Sequence, residues 1–176
     1  MREPRRSHLE GYLGRLFGYA LSLTNDREQA RDLVQECALK ALSAIRVPRD
    51  EAAYRAWLFR ILRNAFLDHR RRAGRSGRAV EIDEAEIANG EIWHGDDLLI
   101  STLTVRLSMA KLSPAHREVL AAVDIAGFSY AETAAFLSVP VGTVMSRLSR
   151  ARQALLQVIG EGKVQPLPVN ARRAVE

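Results

Sequence analysis

Apolar residues recur at helical spacing in two blocks of this chain, and a polar stretch separates the blocks. In the first, Leu9, Tyr12, Leu13, Leu16, Phe17 and Ala20 lie three or four apart, as on one face of a helix. TNDREQ, Thr24 to Gln29, breaks that pattern, and Asp26 followed by Gln29 has the spacing of a capping box for the next helix. There Ala30, Leu33, Val34, Cys37, Ala38, Ala41 and Ile45 form one apolar stripe. Cys37 on that stripe reads as a small core residue rather than a reactive thiol. VPRDEAA, Val47 to Ala53, reads as a loop, because Pro48 drives the preceding residue away from helical geometry. A third helix is predicted from about Ala53 to Arg72. No stretch of this block alternates as a strand does.

Residues 73 to 97 change character. RAGRSGRAV is rich in Gly, Arg and Ser, and the acidic EIDEAEIANGEIWHGDD sustains no stripe, so the segment reads as a linker with Trp93 as a hydrophobic anchor or the start of a second domain. Periodicity resumes from about Leu98. Ser113 and Pro114 are an N-cap and a first-turn proline, and the helix they open ends at AGF, Ala126 to Phe128. Ser129 to Glu132 is a capping box opening a short helix through Leu137, SVPVG is a break, and a last helix starts near Thr143. The tail after Gly160, with Pro166 and Pro168, is expected to be disordered.

A capped helix, a tight turn and a basic helix form a helix-turn-helix pattern. At about 100° per residue, Val144, Leu148, Ala151 and Leu155 fall within about 40° of Val144 and make a buried face. Thr143, Ser146, Arg147, Arg150 and Gln153 take the opposite arc. Arginine suits guanine edges and phosphates, and hydroxyls suit phosphate oxygens. The third helix divides similarly. Trp57, Leu58, Ile61, Leu62, Ala65 and Phe66 occupy one half of the wheel, while Arg60, Arg63, Asn64, Arg70 and Arg71 occupy much of the other. A cationic face suits phosphates, and an amide reads base edges. In the second helix Asp32, Gln35 and Glu36 lie together with Leu39 and Ser43, an acidic and partly apolar ridge better suited to protein docking than to DNA.

Charge sharpens this picture. The 176 residues carry a formal net charge of +5, with arginines clustered near 60–78 and 147–152 and acids in 81–97. The sequence pI is near 9.9, which favours a polyanionic partner. A single cysteine rules out an internal disulfide and suits a reducing compartment. The four histidines are scattered, with no metal-ligand spacing, and no phosphate loop or nucleophile–base pair is present, so no catalytic residue, metal or cofactor is expected. The first ten residues lack the apolar core of a signal peptide, and no apolar run approaches the ~20 residues of a membrane span. The expectation is a soluble, cytoplasmic, non-enzymatic protein.

Three segments, ARDLVQECALKAL, AWLFRILRNAFLDHRRR and LSPAHREVLAAVDIAGFSYAETAAFLSVPVGTVMSRLSRARQAL, occur in an order and spacing that resemble the extracytoplasmic-function (ECF) group of bacterial sigma-70 RNA polymerase sigma factors. The resemblance covers roughly residues 9 to 160. It implies an all-α chain of two small helical domains joined by a flexible linker, the C-terminal one a helix-turn-helix: 1–72 for the promoter −10 element and core polymerase, 73–97 as linker, 98–160 for the −35 element, and 161–176 as a tail without assigned role. It implies a transcription initiation factor with core RNA polymerase and promoter DNA as partners, duplex at −35 and single-stranded at −10, serving a stress response and silenced by an anti-sigma factor. Asp32, Leu33, Gln35 and Glu36 match the polymerase-docking helix. Arg46 and Arg49 lie in the loop that captures a flipped −10 base, and Trp57, Arg60, Arg63 and Asn64 match the −10 melting helix. Thr143, Ser146, Arg147 and Arg150 match the −35 reader. Cys37, Ala38 and Thr133 depart from the family's usual residues, at positions that bear on packing. Two alternatives stay open: a stand-alone helix-turn-helix regulator, and a decoy that binds an anti-sigma protein without reading DNA. Whether the two domains stand apart or face each other is also open.

Overall fold

The computed structural model describes residues 8–75, 105 and 107–161. Among these residues all regular structure is helical. Three helices form the first half: α1 (Leu13–Thr24), α2 (Arg27–Ser43) and α3 (Glu51–Arg75). The second half has α4 (Pro114–Leu120), a π-helical turn (Ala121–Ile125), α5 (Tyr130–Leu137) and α6 (Val141–Glu161). Of the expected linker, residues 73–75 extend α3 and the remainder, with Trp93, lies outside the described residues, as does the tail from residue 162.

Local chemistry sets these boundaries. The expected helix from Leu9 is interrupted by a turn at Gly11 and Tyr12, and α1 proper begins at Leu13. It ends where Asn25 adopts the left-handed conformation (φ 55°). Asp26 caps α2 by accepting from the Gln29 N–H at 3.0 Å. The capping box expected here is only half formed. The Gln29 side chain donates to the Asp26 carboxylate at 2.6 Å, and the Asp26 N–H finds Thr24 Oγ1 instead. After Ser43 the backbone turns extended at Ala44. This corrects the apolar stripe at its end: Ile45 leaves the helix and is 93% exposed. α3 starts two residues before the expected Ala53, because Asp50 Oδ2 accepts from the Ala53 N–H at 2.8 Å and gathers the first turn.

In the second half Ser113 caps α4 with Pro114 in its first turn, and the Ser129–Glu132 capping box is complete, as expected. The predicted single helix through Ile125 is instead two pieces. After Leu120 the chain widens, and the Ala126 N–H reaches back five residues to the Ala121 carbonyl at 2.9 Å. Gly127 then takes φ 74°, open to glycine at little cost, and Phe128 N–H bonds the Ala122 carbonyl.

That widened turn sets the two halves against each other. One core joins α1–α3 to Ala121, Ala122, Ala126, Phe128 and Phe136 of the second half; a smaller one holds Val119, Val144, Leu148 and Ala151. The small alanines let the π turn approach α1 closely. At Gly18 an added Cβ would lie 3.2 Å from Ile125 Cγ2. Four aromatic rings bridge the halves: Tyr19–Phe59 at 5.3 Å, Phe59–Phe128 at 5.4 Å, Tyr19–Phe136 at 6.1 Å and Phe128–Phe136 at 5.1 Å between centroids. Pairs of this kind contribute about 1 kcal/mol each beyond area burial. Cys37 is fully buried, and its Sγ lies 3.4 Å from the Leu58 carbonyl. Burial pushes its thiol up to about 12, which suits a packing residue.

Candidate nucleic-acid interface

α5 and α6 make the helix-turn-helix. The turn is set by Ser138 in the left-handed region (φ 57°), with its N–H donated to the Ala134 carbonyl. Val144, Leu148 and Ala151 pin α6 to its own domain, leaving Ser146 and Arg150 exposed and Thr143 and Arg147 half-buried on the outer face. Ser146 donates its hydroxyl to the Thr143 carbonyl at 3.1 Å and keeps acceptor capacity on its exposed oxygen. α6 thus carries a rigid buried stripe and a basic face that nothing in the chain's described part covers, a geometry that fits a major groove.

α3 differs from its wheel at one position. Leu58, Leu62 and Ala65 are buried and Arg60 and Asn64 are exposed, as the pattern predicts. Phe59, on the side read as cationic, is fully buried by Tyr19 and Phe128. Its neighbours on that side are also engaged. Arg63 donates from Nε to Glu118 Oε1 at 2.6 Å and lies over the Phe136 ring at 5.7 Å. Arg55 donates from Nη2 to Glu132 Oε1 at 2.6 Å and lies over the Phe128 ring at 5.3 Å. The Ser129 N–H, followed by the Arg55 guanidinium, holds the Glu132 carboxyl below its ordinary value. Sequence reasoning missed Arg55, Phe59, Glu118 and Glu132. The available signal was Phe59 itself, a large apolar residue on an otherwise charged arc.

The start of α3 is braced by aromatics. Tyr12 donates its hydroxyl to Glu51, and His8 Nε2 lies 2.7 Å from the same carboxylate. Tyr54 packs against His8 at 4.6 Å and against Trp57 at 5.7 Å between centroids. Trp57 is therefore held half-buried beside the loop that carries the exposed Arg46 and Arg49.

On α2, Asp32 and Gln35 are exposed and Glu36 is half-buried, bonded to Lys40 at 2.6 Å and His69 at 3.0 Å. The Lys40 ammonium, chief among these, keeps the Glu36 carboxyl below its ordinary value. Leu33 is a correction: at 1% exposure it packs inward and anchors the helix, and the apolar surface of this ridge comes from Leu39 and Leu42. Among the described residues no three of His, Cys, Asp and Glu gather as metal ligands, and no helix is long and apolar enough to cross a membrane.

A helix-turn-helix with a free basic face, joined to a three-helix unit with its own basic helix, defines a two-part nucleic-acid-binding protein. The comparisons narrow that class. Residues 9–76 match Sigma-70 region 2, and residues 102–155 match Sigma-70, region 4. The chain is 38% identical over 150 residues to the ECF RNA polymerase sigma factor EcfG of Rhodopseudomonas palustris, covering 82% of this chain and 81% of that one. It is 35% identical over 147 residues to SigL of Mycobacterium tuberculosis, covering 83% of each. The sigma factor RpoE of Bartonella quintana, solved with the anti-sigma factor NepR, superposes with a TM-score of 0.70 at 28% identity, covering 90% of this chain and 98% of that one. CnrH, solved with the cytosolic domain of CnrY, gives 0.61 at 25% identity over 88% and 86%. The chain belongs to the ECF group of sigma-70 RNA polymerase sigma factors.

Proposed function

We propose that this chain binds core RNA polymerase and directs it to promoters, reading the −35 element with α6 and the −10 element with α3. One observation carries the reading: the two sigma-70 regions occur in order on one chain, and each presents a helix with a basic outer face. Thr143, Ser146, Arg147 and Arg150 read the −35 duplex, the arginines through base edges or phosphates. Trp57, Arg60, Arg63 and Asn64 engage the separated −10 strand, with Arg46 and Arg49 beside the base drawn from the stack. Extrusion of a base costs a few kcal/mol, least where pairing is weak, and cationic side chains beside an aromatic suit a single strand. The exposed ridge of Asp32, Gln35 and Glu36 docks on the polymerase, with Leu39 and Leu42 adding apolar contact. The division into a −10 unit, a linker and a −35 unit follows from this assignment, as does a cytoplasmic, non-catalytic role.

The two halves are closed on each other in this structure. Phe59 is inaccessible and Arg63 is engaged by Glu118, so the halves separate before α3 receives a strand. The RpoE and CnrH structures each hold an inhibitory partner or a partner's cytosolic domain, and we extend control by an anti-sigma protein to this chain. Transcription from a promoter library with purified core polymerase, with and without the protein, tests the reading. Initiation at sites sharing a −35 and −10 pair supports it. If the folded protein adds nothing to core polymerase, the assignment fails, and footprinting without polymerase separates a stand-alone regulator from a decoy.

A further inference from the structure

A cavity of about 350 Å³ opens where the two halves meet, between the end of α1, the outer part of α3 and the start of α4. Its wall contains Asn25, Phe66, Leu67 and Arg70 from the first half and Arg117 and Glu118 from the second. Its polar groups do not balance. Arg117 donates from Nη2 to the Leu112 carbonyl, but its Nε is buried without an acceptor, and so is Asn25 Nδ2. Glu118 gives its carboxylate to Arg63 at 2.6 Å. Arg70 lies over the Phe66 ring at 5.8 Å, and burial, with the Arg70 charge second, lowers the Arg117 pKa. The cavity therefore joins the Arg70 and Arg117 guanidinium groups, of which Arg117 Nε lacks an acceptor, the Asn25 amide lacking one too, the Glu118 carboxylate already bonded to Arg63, and an apolar floor of Phe66 and Leu67. Buried polar groups in native proteins are nearly always paired, and exceptions point to a water or an ion. Two guanidinium groups from opposite halves lining one cavity suit an anion.

We propose that this interdomain cavity is a binding site for a small anion with an apolar body, its phosphate-type head on Arg70, Arg117 and Asn25 and its body on Phe66 and Leu67. The volume exceeds what a bare oxyanion fills. The walls come from both halves, so the ligand binds the closed form and not the open one. By mass action it holds the halves together and delays release of α3. The site draws on none of the residues assigned to reading −35, and it stands whether or not the promoter assignments hold.

Phenyl phosphate is the probe, titrated into the full-length protein by calorimetry and mapped by amide chemical shifts, beside inorganic phosphate and benzyl alcohol. Expected are saturable binding at one site per chain, shifts centred on Phe66, Leu67 and Arg117, and weaker binding of inorganic phosphate and of benzyl alcohol. Arg70→Gln removes a charge from the exposed surface of α3. Asn25→Gly removes the amide while keeping the left-handed backbone. Each is expected to weaken phenyl phosphate about tenfold or more, as loss of a charge-assisted hydrogen bond does. Absence of binding overturns the proposal, as does binding that both variants leave intact, shifts centred on the basic face of α6, or equal affinity for inorganic phosphate.

Discussion

Arg63 Nε and Glu118 Oε1 lie 2.6 Å apart, tying α3, the helix assigned to the −10 strand, to α4 of the second half. Both side chains are about one-quarter exposed, at 23% each, so the pair is less screened than a surface ion pair. On the proposed assignment, the strand's phosphates and Glu118 compete for one guanidinium. Glu118→Gln keeps the shape and removes the charge. It is expected to favour the open form by ~1 kcal/mol, about a fivefold rise in its population. Double electron–electron resonance between spin labels on α2 and α6 reads this directly, and an unchanged distance distribution denies Glu118 its role as a clasp.

Gly18 and Ile125 meet across the same joint. A methyl at residue 18 lies 3.2 Å from Ile125 Cγ2, tight enough that Ile125 must give way. In the helix itself, alanine is favoured over glycine by about 1 kcal/mol. Gly18→Ala is therefore expected to act in opposite directions at two levels, firming α1 while loosening the joint. Hydrogen exchange should show slower exchange within α1 and faster exchange at Ala121–Ala126. Slower exchange in both regions would mean that Ile125 moves aside freely and the joint tolerates the methyl.

Glu132 gives the joint a pH dependence. Its carboxyl is held below its ordinary value, first by the Ser129 N–H and then by Arg55. The depressed value means that the folded state favours the carboxylate. The stabilisation is fully present above pH 4.5 and is lost as pH falls through the lowered folded value. Protonation weakens both the cap of α5 and the Arg55 pair. Glu132→Gln preserves a capping-box residue but loses the ion pair. Its thermal stability between pH 6 and pH 3 should change less steeply than that of the native chain. Parallel curves would assign the acid sensitivity to other carboxylates.

The helices were legible in the sequence because they rest on local chemistry: the Ser129–Glu132 box, Ser113 before Pro114, and the Val144–Leu148–Ala151 stripe all appear where the pattern puts them. Boundaries slipped where a side chain outside the pattern captured a backbone group, as Asp50 does at the start of α3. The π turn was not legible, since its widening depends on the packing of Ala121 and Ala122 against α1 rather than on a residue signature. The joint was legible only in a fragment. Phe59 and Arg63 sit on one arc of one helix, and periodicity reports that arc's polarity without naming what covers it. For Leu33 the apolar stripe and the family resemblance pointed in opposite directions, and burial decides for the stripe.

The side-chain pairs across the joint come from α4 and α5 rather than α6, which separates the two proposed promoter contacts experimentally. Arg150 is exposed and Arg147 half-buried on the face opposite Val144 and Leu148, and neither is spent on the interdomain contact. Arg147→Ala or Arg150→Ala should weaken dependence on the −35 sequence by ~1–3 kcal/mol if the side chain is bidentate to a base, with fold and interdomain distance unchanged. Asn64→Ala, on the exposed side of α3, should leave −35 binding intact and slow strand opening. Permanganate footprinting of the −10 region and competition with −35 variants, run on the same polymerase complexes, distinguish the two defects. Should both arginine variants keep full −35 discrimination, base reading moves to other residues of α6; normal opening kinetics in the Asn64 variant would remove that amide from the −10 contact.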